Sequence, residues 1–256
     1  MKIYDTMSIR KRIIINADDC GMSRTVNEHI EKVIQANKIT STTLMANMED
    51  FDGAVALSKK YGDRISFGWH INLTEGKPLL YSQLLLDKGF FIETEHGVEM
   101  NGRKFLHKWL PLDARNEIKK ELMEQYTKLR DSGIDISHID SHHHVHTSVW
   151  GVRVFPSLLR ETGISAMRCM FNNKPQSIDT IMRKGWAALM KMQVQGLRMP
   201  DVQSDFERFS EKGIIAKGNV IELECHPGHP KFMEEEKLLM QYSFADQYEL
   251  ITYRQL

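Results

Sequence analysis

The strongest constraint on this chain is a rhythm. Short apolar runs alternate with helix-forming stretches along most of its length. The run RIIIN (12–16) is followed by a helical stretch from about Ser23 to Asn37. There Val26, Ile30, Val33 and Ile34 share one face, and Thr25 with Glu28 has capping-box spacing. STTLMAN (41–47) and ISFGWHINL (65–73) read as the next strands, with FDGAVALSKKY between them as a helix. A helix is predicted from Asp113 to about Ser132, with Ile118, Leu122, Tyr126 and Leu129 on its apolar face and Gly133 at its stop. ISHID (136–140) reads as a strand, and a helix near 150–162 ends at Gly163. ISAMRCM (164–170) is predicted as a strand, then helices near 176–193 and 203–212. NVIELECH (219–226) is a strong late strand, and the last dozen residues read as helical. Continuous apolar strands suit a sheet covered on both faces. Helical crossovers between them imply a parallel α/β sheet. A closed or nearly closed barrel and an open doubly wound sheet both fit. No GxGxxG follows the first strand, which disfavours a dinucleotide-binding domain.

At 256 residues the chain matches the usual length of an α/β barrel, so a single domain over 1–256 is expected. The rhythm breaks at about 75–112, where Gly76, Pro78, Gly89, Gly97, Gly102 and Pro111 interrupt any period. An insert this long fits either a substrate-contacting loop or a variable surface excursion. Lys plus Arg equals Asp plus Glu at 34 each, which argues against broad electrostatic binding to nucleic acid or an anionic membrane. Cys20, Cys169 and Cys225 have no CxxC spacing, so neither a disulfide framework nor a Cys-ligated zinc is expected. The opening MKIYDTMSIRKR lacks an apolar core, and no stretch reaches the roughly 20 apolar residues of a membrane helix. A cytoplasmic setting is the resulting expectation.

The reactive side chains follow the strands. NADD follows RIII, His70 lies late in ISFGWH, SHHHVH follows ISHID, and CHPGHP follows NVIELE. The tract HIDSHHHVH alone holds five of the 11 histidines. Ligands in parallel α/β folds bind at the carboxyl ends of strands, so these clusters can converge on a metal or catalytic centre. Asp18 and Asp19 are neighbours whose side chains diverge on extended backbone. One can bind a metal while the other handles a proton; an Asx turn into the helix is the plainer reading. Two imidazoles, His70 and His142, with one carboxylate leave positions open for water and substrate. His146 is a reserve ligand, and Asp140 and the other histidines of the tract suit an orienting role. His226 stands before Pro227 and Gly228, a rigid turn that can hold an imidazole over a pocket for proton transfer. Less is expected of His229, further from the strand end.

The stretches INADDCGMS, TSTTLMAN, GWHINLTEGKPL, SHIDSHHHVH and ELECHPG, spanning 14–228, resemble in that order the YdjC-like carbohydrate deacetylases, which include chitooligosaccharide (diacetylchitobiose) deacetylases. The resemblance implies a single-domain, distorted TIM-type (β/α) barrel related to polysaccharide deacetylases. It implies metal ligands Asp19, His70 and His142, with Asp18 as base and His226 as acid. It implies one divalent ion, magnesium by family habit, while the donors also suit zinc or manganese. The implied reaction removes N-acetyl groups from amino sugars or short N-acetylglucosamine oligosaccharides. Cys20 departs from the family's usual Phe and bears on packing or access beside the site. Arg168, at the end of ISAMR, either holds a sugar hydroxyl, fixes Asp18 or forms a structural ion pair. A two-metal phosphoesterase would call for more carboxylates, and a glycosidase for two opposed ones. A non-catalytic sugar-binding protein would be expected to lack ligands that are all present here. A small carbohydrate is the expected partner, with a homodimer left open.

Overall fold

Residues 10–169, 178–212, 218–245 and 248–256 are described by a computed structural model. The predicted alternation forms as read over most of the chain: β1 (Lys11–Cys20), α1 (Arg24–Gln35), β2 (Ser41–Leu44), α2 (Phe51–Tyr61) and β3 (Ser66–Ile71). Ser23 caps α1 by accepting from the Val26 amide, and Val26, Ile30, Val33 and Ile34 are its buried face. The 75–112 insert is less irregular than its glycines suggest. It folds as α3 (Gln83–Asp87) and an antiparallel hairpin of β4 (Phe91–Thr94) and β5 (Gly97–Met100). Then come α4 (Leu112–Asp131), β6 (Ile136–Ser141), α5 (Gly151–Thr162) and α6 (Ile178–Gln193). The remaining elements are β7 (Val202–Asp205), α7 (Phe206–Lys212), β8 (Val220–Cys225), α8 (Met233–Gln241) and β9 (Tyr248–Leu250). Among the described residues no helix is long and apolar enough to cross a membrane.

The main sheet is parallel, in the order β6-β3-β2-β1-β8-β7, with β9 also on β1. It does not close into the expected TIM-type barrel. Between the β6 and β7 edges the described residues show only two isolated bridges, Ile139 to Met167 and Ala166 to Arg198. The predicted strand 164–170 is thus reduced to these bridges, and its last residue lies outside the described set. Its backbone hydrogen-bonds to Ile139 on one side and Arg198 on the other for a single step, too short for a ladder.

Two further expectations change. The start of the helix predicted at 203–212 is strand: Val202–Asp205 pairs with Ile221–Glu224 of β8, and tertiary pairing overrides local preference. The chain end is not a helix. Tyr248–Leu250 pairs with the first residues of β1, followed by one 3-10 turn at Tyr253–Gln255 closed by a capping box from Thr252. Helix α8 carried no sequence expectation, although Glu234, Glu235 and Glu236 in its first turn suit the positive end of a helix dipole.

Strand alternation divides the sheet chemically. Ile13, Ile15 and Ala17 of β1 join the large apolar core with the helices. Ile14, Asn16 and Asp18 have the other parity. Ile14 packs with Ala166, Ile251 and Tyr253, while Asn16 and Asp18 meet a buried polar network. Thr43, His138, Asp140, Glu222 and Glu224 from neighbouring strands are also buried there or beside it. Gly68 makes room on this face: a Cβ would stand 2.4 Å from His138 and 2.7 Å from Thr43.

Candidate active site

A local break in β1 creates the site. Register with β2 shifts between Ala17 and Cys20, and Asp19 adopts φ 66°, a left-handed conformation that Asp tolerates better than most residues. The shift suspends alternation, so Asp18 and Asp19 both line one cavity of about 680 Å³ at the carboxyl ends of the strands. The side chains expected to diverge thus meet at one cavity, both buried, yet their partners differ.

Asp19 faces the histidines. Its Oδ1 lies 2.8 Å from His142 Nδ1 and 3.2 Å from His70 Nε2. The three residues offer donor atoms within 4.8 Å of one another. Despite burial, Asp19 Oδ1 and His70 Nε2 have no hydrogen-bond partner, because these close contacts lack the alignment. Leaving buried polar atoms unsatisfied costs about 1–3 kcal/mol each, so orphan atoms converging on one point fit a cation. Two imidazoles and a carboxylate are a donor set for a divalent metal. His70 Nδ1 sits 2.7 Å from Asp140 Oδ1, and the Thr43 hydroxyl donates to the other Asp140 oxygen at 2.9 Å. That is the outer support that fixes a ligating imidazole. Burial would raise the Asp19 pKa, but the adjoining His142 and His70 hold it well below the usual carboxylate range.

Asp18 faces Arg168. The guanidinium donates to its two oxygens at 2.7 and 2.6 Å, and Asn16 donates to one of them at 2.8 Å. Arg168 also contacts Glu222 (3.0 Å), Asp140 (3.0 Å) and Glu224 (3.2 Å). It is wholly buried and is not among the residues that line the cavity. Of its predicted alternatives, the geometry shows both the contact that fixes Asp18 and a structural ion pair. Burial opposes ionisation of Asp18, but Arg168 outweighs it and keeps the carboxyl far below its ordinary range. One guanidinium does not satisfy four carboxylates. Burial pushes Glu222 up to about 7, against the pull of Arg168, and pushes Glu224 well above its usual value.

His226 completes the cavity from the end of β8. Its Nε2 is 4.0 Å from Asp18 Oδ2. Its Nδ1 is 3.3 Å from Glu235 of α8, which also accepts the His226 backbone N–H at 2.7 Å. The ring stacks on Phe232. Burial alone would lower the His226 pKa, but Glu235, Asp18 and Asp19 push it up to about 10, which favours the protonated ring. Gly228 in the following turn has φ 75°, and a Cβ there would meet His29 at 2.8 Å. Sequence reading missed Glu235. Its signal was the acidic run that opens α8.

The remaining candidates separate. The tract 142–147 is a 3-10 turn kinked at His143 and His144, both left-handed, so His142 and His146 do not share a helical face. His146 turns to the Ser141 hydroxyl at 2.5 Å and stays out of the donor cluster. His138 stacks on Tyr253, and His144 Nε2 stands 3.6 Å from Glu224. His229 lines the cavity and accepts the Lys231 amide. Cys20 is fully buried against Asn27, so it affects packing rather than access. From the insert region, Glu75 and Arg103 reach the cavity.

A model of the YdjC-like protein family matches residues 12–256. A carbohydrate deacetylase of Clostridium beijerinckii is 34% identical over 155 residues, covering 60% of this chain and 58% of that protein. One from Brevibacillus brevis is 37% identical over 135 residues, covering 53% and 50%. The chain therefore spans little more than half the length of these curated relatives where it matches them. A crystal structure from Enterococcus faecalis V583, provisionally described as a cellobiose-phosphate cleavage protein, superposes with a TM-score of 0.71. It is 23% identical and covers 96% of this chain and 98% of that one, which shows the shared fold.

Proposed function

The chain belongs to the YdjC-like protein family, and on that premise we propose that it is a metal-dependent carbohydrate deacetylase, a hydrolase that frees acetate from an N-acetyl amino sugar. The carrying observation is the convergence of Asp19, His70 and His142 in a buried cluster beside Asp18 and His226. We propose Asp19, His70 and His142 as ligands of one divalent ion. Two imidazoles favour zinc, and the carboxylate also admits magnesium or manganese. A divalent ion bound there supplies Lewis acidity to a water and to the amide carbonyl.

The chain's own residues handle the protons. Asp18 accepts one from the attacking water. Arg168 keeps that carboxylate ionised and fixed, which makes it an ever-ready but weak base. Its weakness requires a water that is already acidified. His226 stands on the same cavity wall as an imidazolium and gives a proton to the leaving amine, which departs poorly without one. Glu235 stabilises the positive charge on that ring. A short N-acetylglucosamine oligosaccharide is the substrate class this reading names, and the match over 12–256 supports one domain.

The test is acetate release from such oligosaccharides by protein purified without a metal-affinity tag. Release that a chelator abolishes and added zinc or magnesium restores is expected. No release with any divalent metal would sink the assignment.

A further inference from the structure

The mouth of the cavity holds a second set of donors that shares only His142 with the proposed reaction. Glu75 Oε1 lies 3.6 Å from His142 Nε2 and 3.7 Å from His143 Nε2. The three residues each offer one donor atom, and these atoms fall within 4.8 Å of one another. Four donors around a tetrahedral zinc stand roughly 3.4 Å apart, given bonds of about 2.1 Å. The two spacings to Glu75 are therefore close to those of a filled site. His142 is only 8% exposed, and its Nε2 has no hydrogen-bond partner although it points at Glu75. Its Nδ1 points at Asp19. One imidazole thus faces two donor sets through opposite nitrogens.

His143 is built in the same way. Its Nδ1 lies 2.8 Å from the Thr74 hydroxyl, which fixes the ring and leaves Nε2 toward Glu75. Ligating histidines commonly commit their second nitrogen to such an oxygen. The left-handed backbone of His143, φ 50°, brings its ring within 4.0 Å of the His142 ring. The loop that carries Glu75 is held as well. Asn72 Oδ1 accepts from the amides of Thr74 (3.1 Å) and Glu75 (3.3 Å), and its amide donates to the Glu75 carbonyl (2.8 Å).

We propose that Glu75, His142 and His143 form a second, weaker site for a divalent transition-metal cation such as zinc at the cavity mouth. The site is additional to the proposed reaction; only its sharing of His142 rests on that reading. The two nitrogens of one imidazole point apart, so the ions stand further apart than the ~4 Å of a two-metal hydrolase. The outer ion is therefore no partner in the displacement. With both sites filled, His142 releases its last ring proton to solvent, which makes the second ion the weaker one.

The test counts zinc. The full chain is purified without a metal-affinity tag, stripped with chelator, and dialysed against rising free Zn²⁺, and bound zinc per chain is measured by elemental analysis. Two equivalents are expected, one tight and one weaker. Glu75→Gln and His143→Ala each weaken the second by about tenfold or more and leave the tight one. Asp19→Ala removes the tight one, and His142→Ala removes both. Circular dichroism checks that each variant is folded. One equivalent in the unaltered protein, indifferent to Glu75→Gln, overturns the second site and leaves the deacetylase reading standing. Two equivalents that both survive Glu75→Gln and His143→Ala also overturn it. A single equivalent lost in Glu75→Gln and kept in Asp19→Ala supports this site and overturns the inner centre.

Discussion

Asp18 and His226 are the residues whose roles depend most on the proposed chemistry. Asp18→Asn keeps the metal, because the ligand role belongs to Asp19, and lowers the turnover of an N-acetyl sugar by roughly 100-fold to 10,000-fold. The same change leaves a wholly buried Arg168 short of its closest carboxylate, so the melting temperature falls too. Rates are therefore compared well below both transitions. Metal loss in Asp18→Asn, with retention in Asp19→Asn, would exchange the two roles. For His226 the discriminating variable is the leaving group. An N-acetyl sugar expels an amine that needs a proton, whereas an aryl acetate expels a phenolate unaided. His226→Ala is expected to damage the amide reaction about 100-fold more than the ester reaction, at unchanged metal content. Equal damage to both would leave His226 as packing for its turn. At this scale the sequence was informative wherever a side chain sits at or just past the carboxyl end of a strand: Asp19, His70, His142 and His226 were all legible from that position. Arg168 was legible as a cation that could fix Asp18, but not as the hub of a buried acidic cluster. Its burial among four carboxylates depends on strands β1, β6 and β8, far apart in sequence, meeting across one face.

At the scale of elements, the polar face of the sheet is the delicate part. Gly68 in β3 lies under His138 and Thr43, and Thr43 in turn holds Asp140 behind His70. Gly68→Ala drives a methyl to 2.4 Å from His138 Cε1, which its stacked ring cannot yield without leaving Tyr253. Overpacking of this kind typically costs about 1–3 kcal/mol. The expected result is a fall in melting temperature together with weaker metal retention, read by thermal unfolding and elemental analysis. An unchanged melting temperature would show that the face has slack. The strands were legible because continuous apolar runs such as Ile13–Ile15 identify themselves. β7 was not, because VQSD has no apolar run and becomes strand only through its partner β8. β9 failed for the same reason. Three residues pair with the start of β1, and nothing local announces it.

The charge balance of the whole molecule leads to a signed pH dependence. The net formal charge is zero, yet Arg168 is enclosed by Asp18, Asp140, Glu222 and Glu224 in one buried cluster. Composition gives no hint of this local excess of acid. Asp18 takes the strongest share of Arg168, and Glu222, bonded also to the Tyr253 hydroxyl at 2.6 Å, is left with a carboxyl that burial raises from 4.5 to about 7. Unfolded, Glu222 loses its proton near 4.5; folded, it keeps it until about 7. Between those values the native state binds a proton that the unfolded state has released. Stability contributed by this group is therefore full below the lower value and is lost as pH rises through the upper one. Glu222→Gln has the same shape and no proton to lose. The melting temperature of the unaltered protein, measured relative to Glu222→Gln, is expected to fall as pH is raised through this window, while the variant's own curve flattens. The comparison is made on metal-free protein, so that ligand protonation at the cavity is common to both. Two curves that run parallel through the window would show that Glu222 is ionised in the fold, with Glu224 left to carry the cluster's proton.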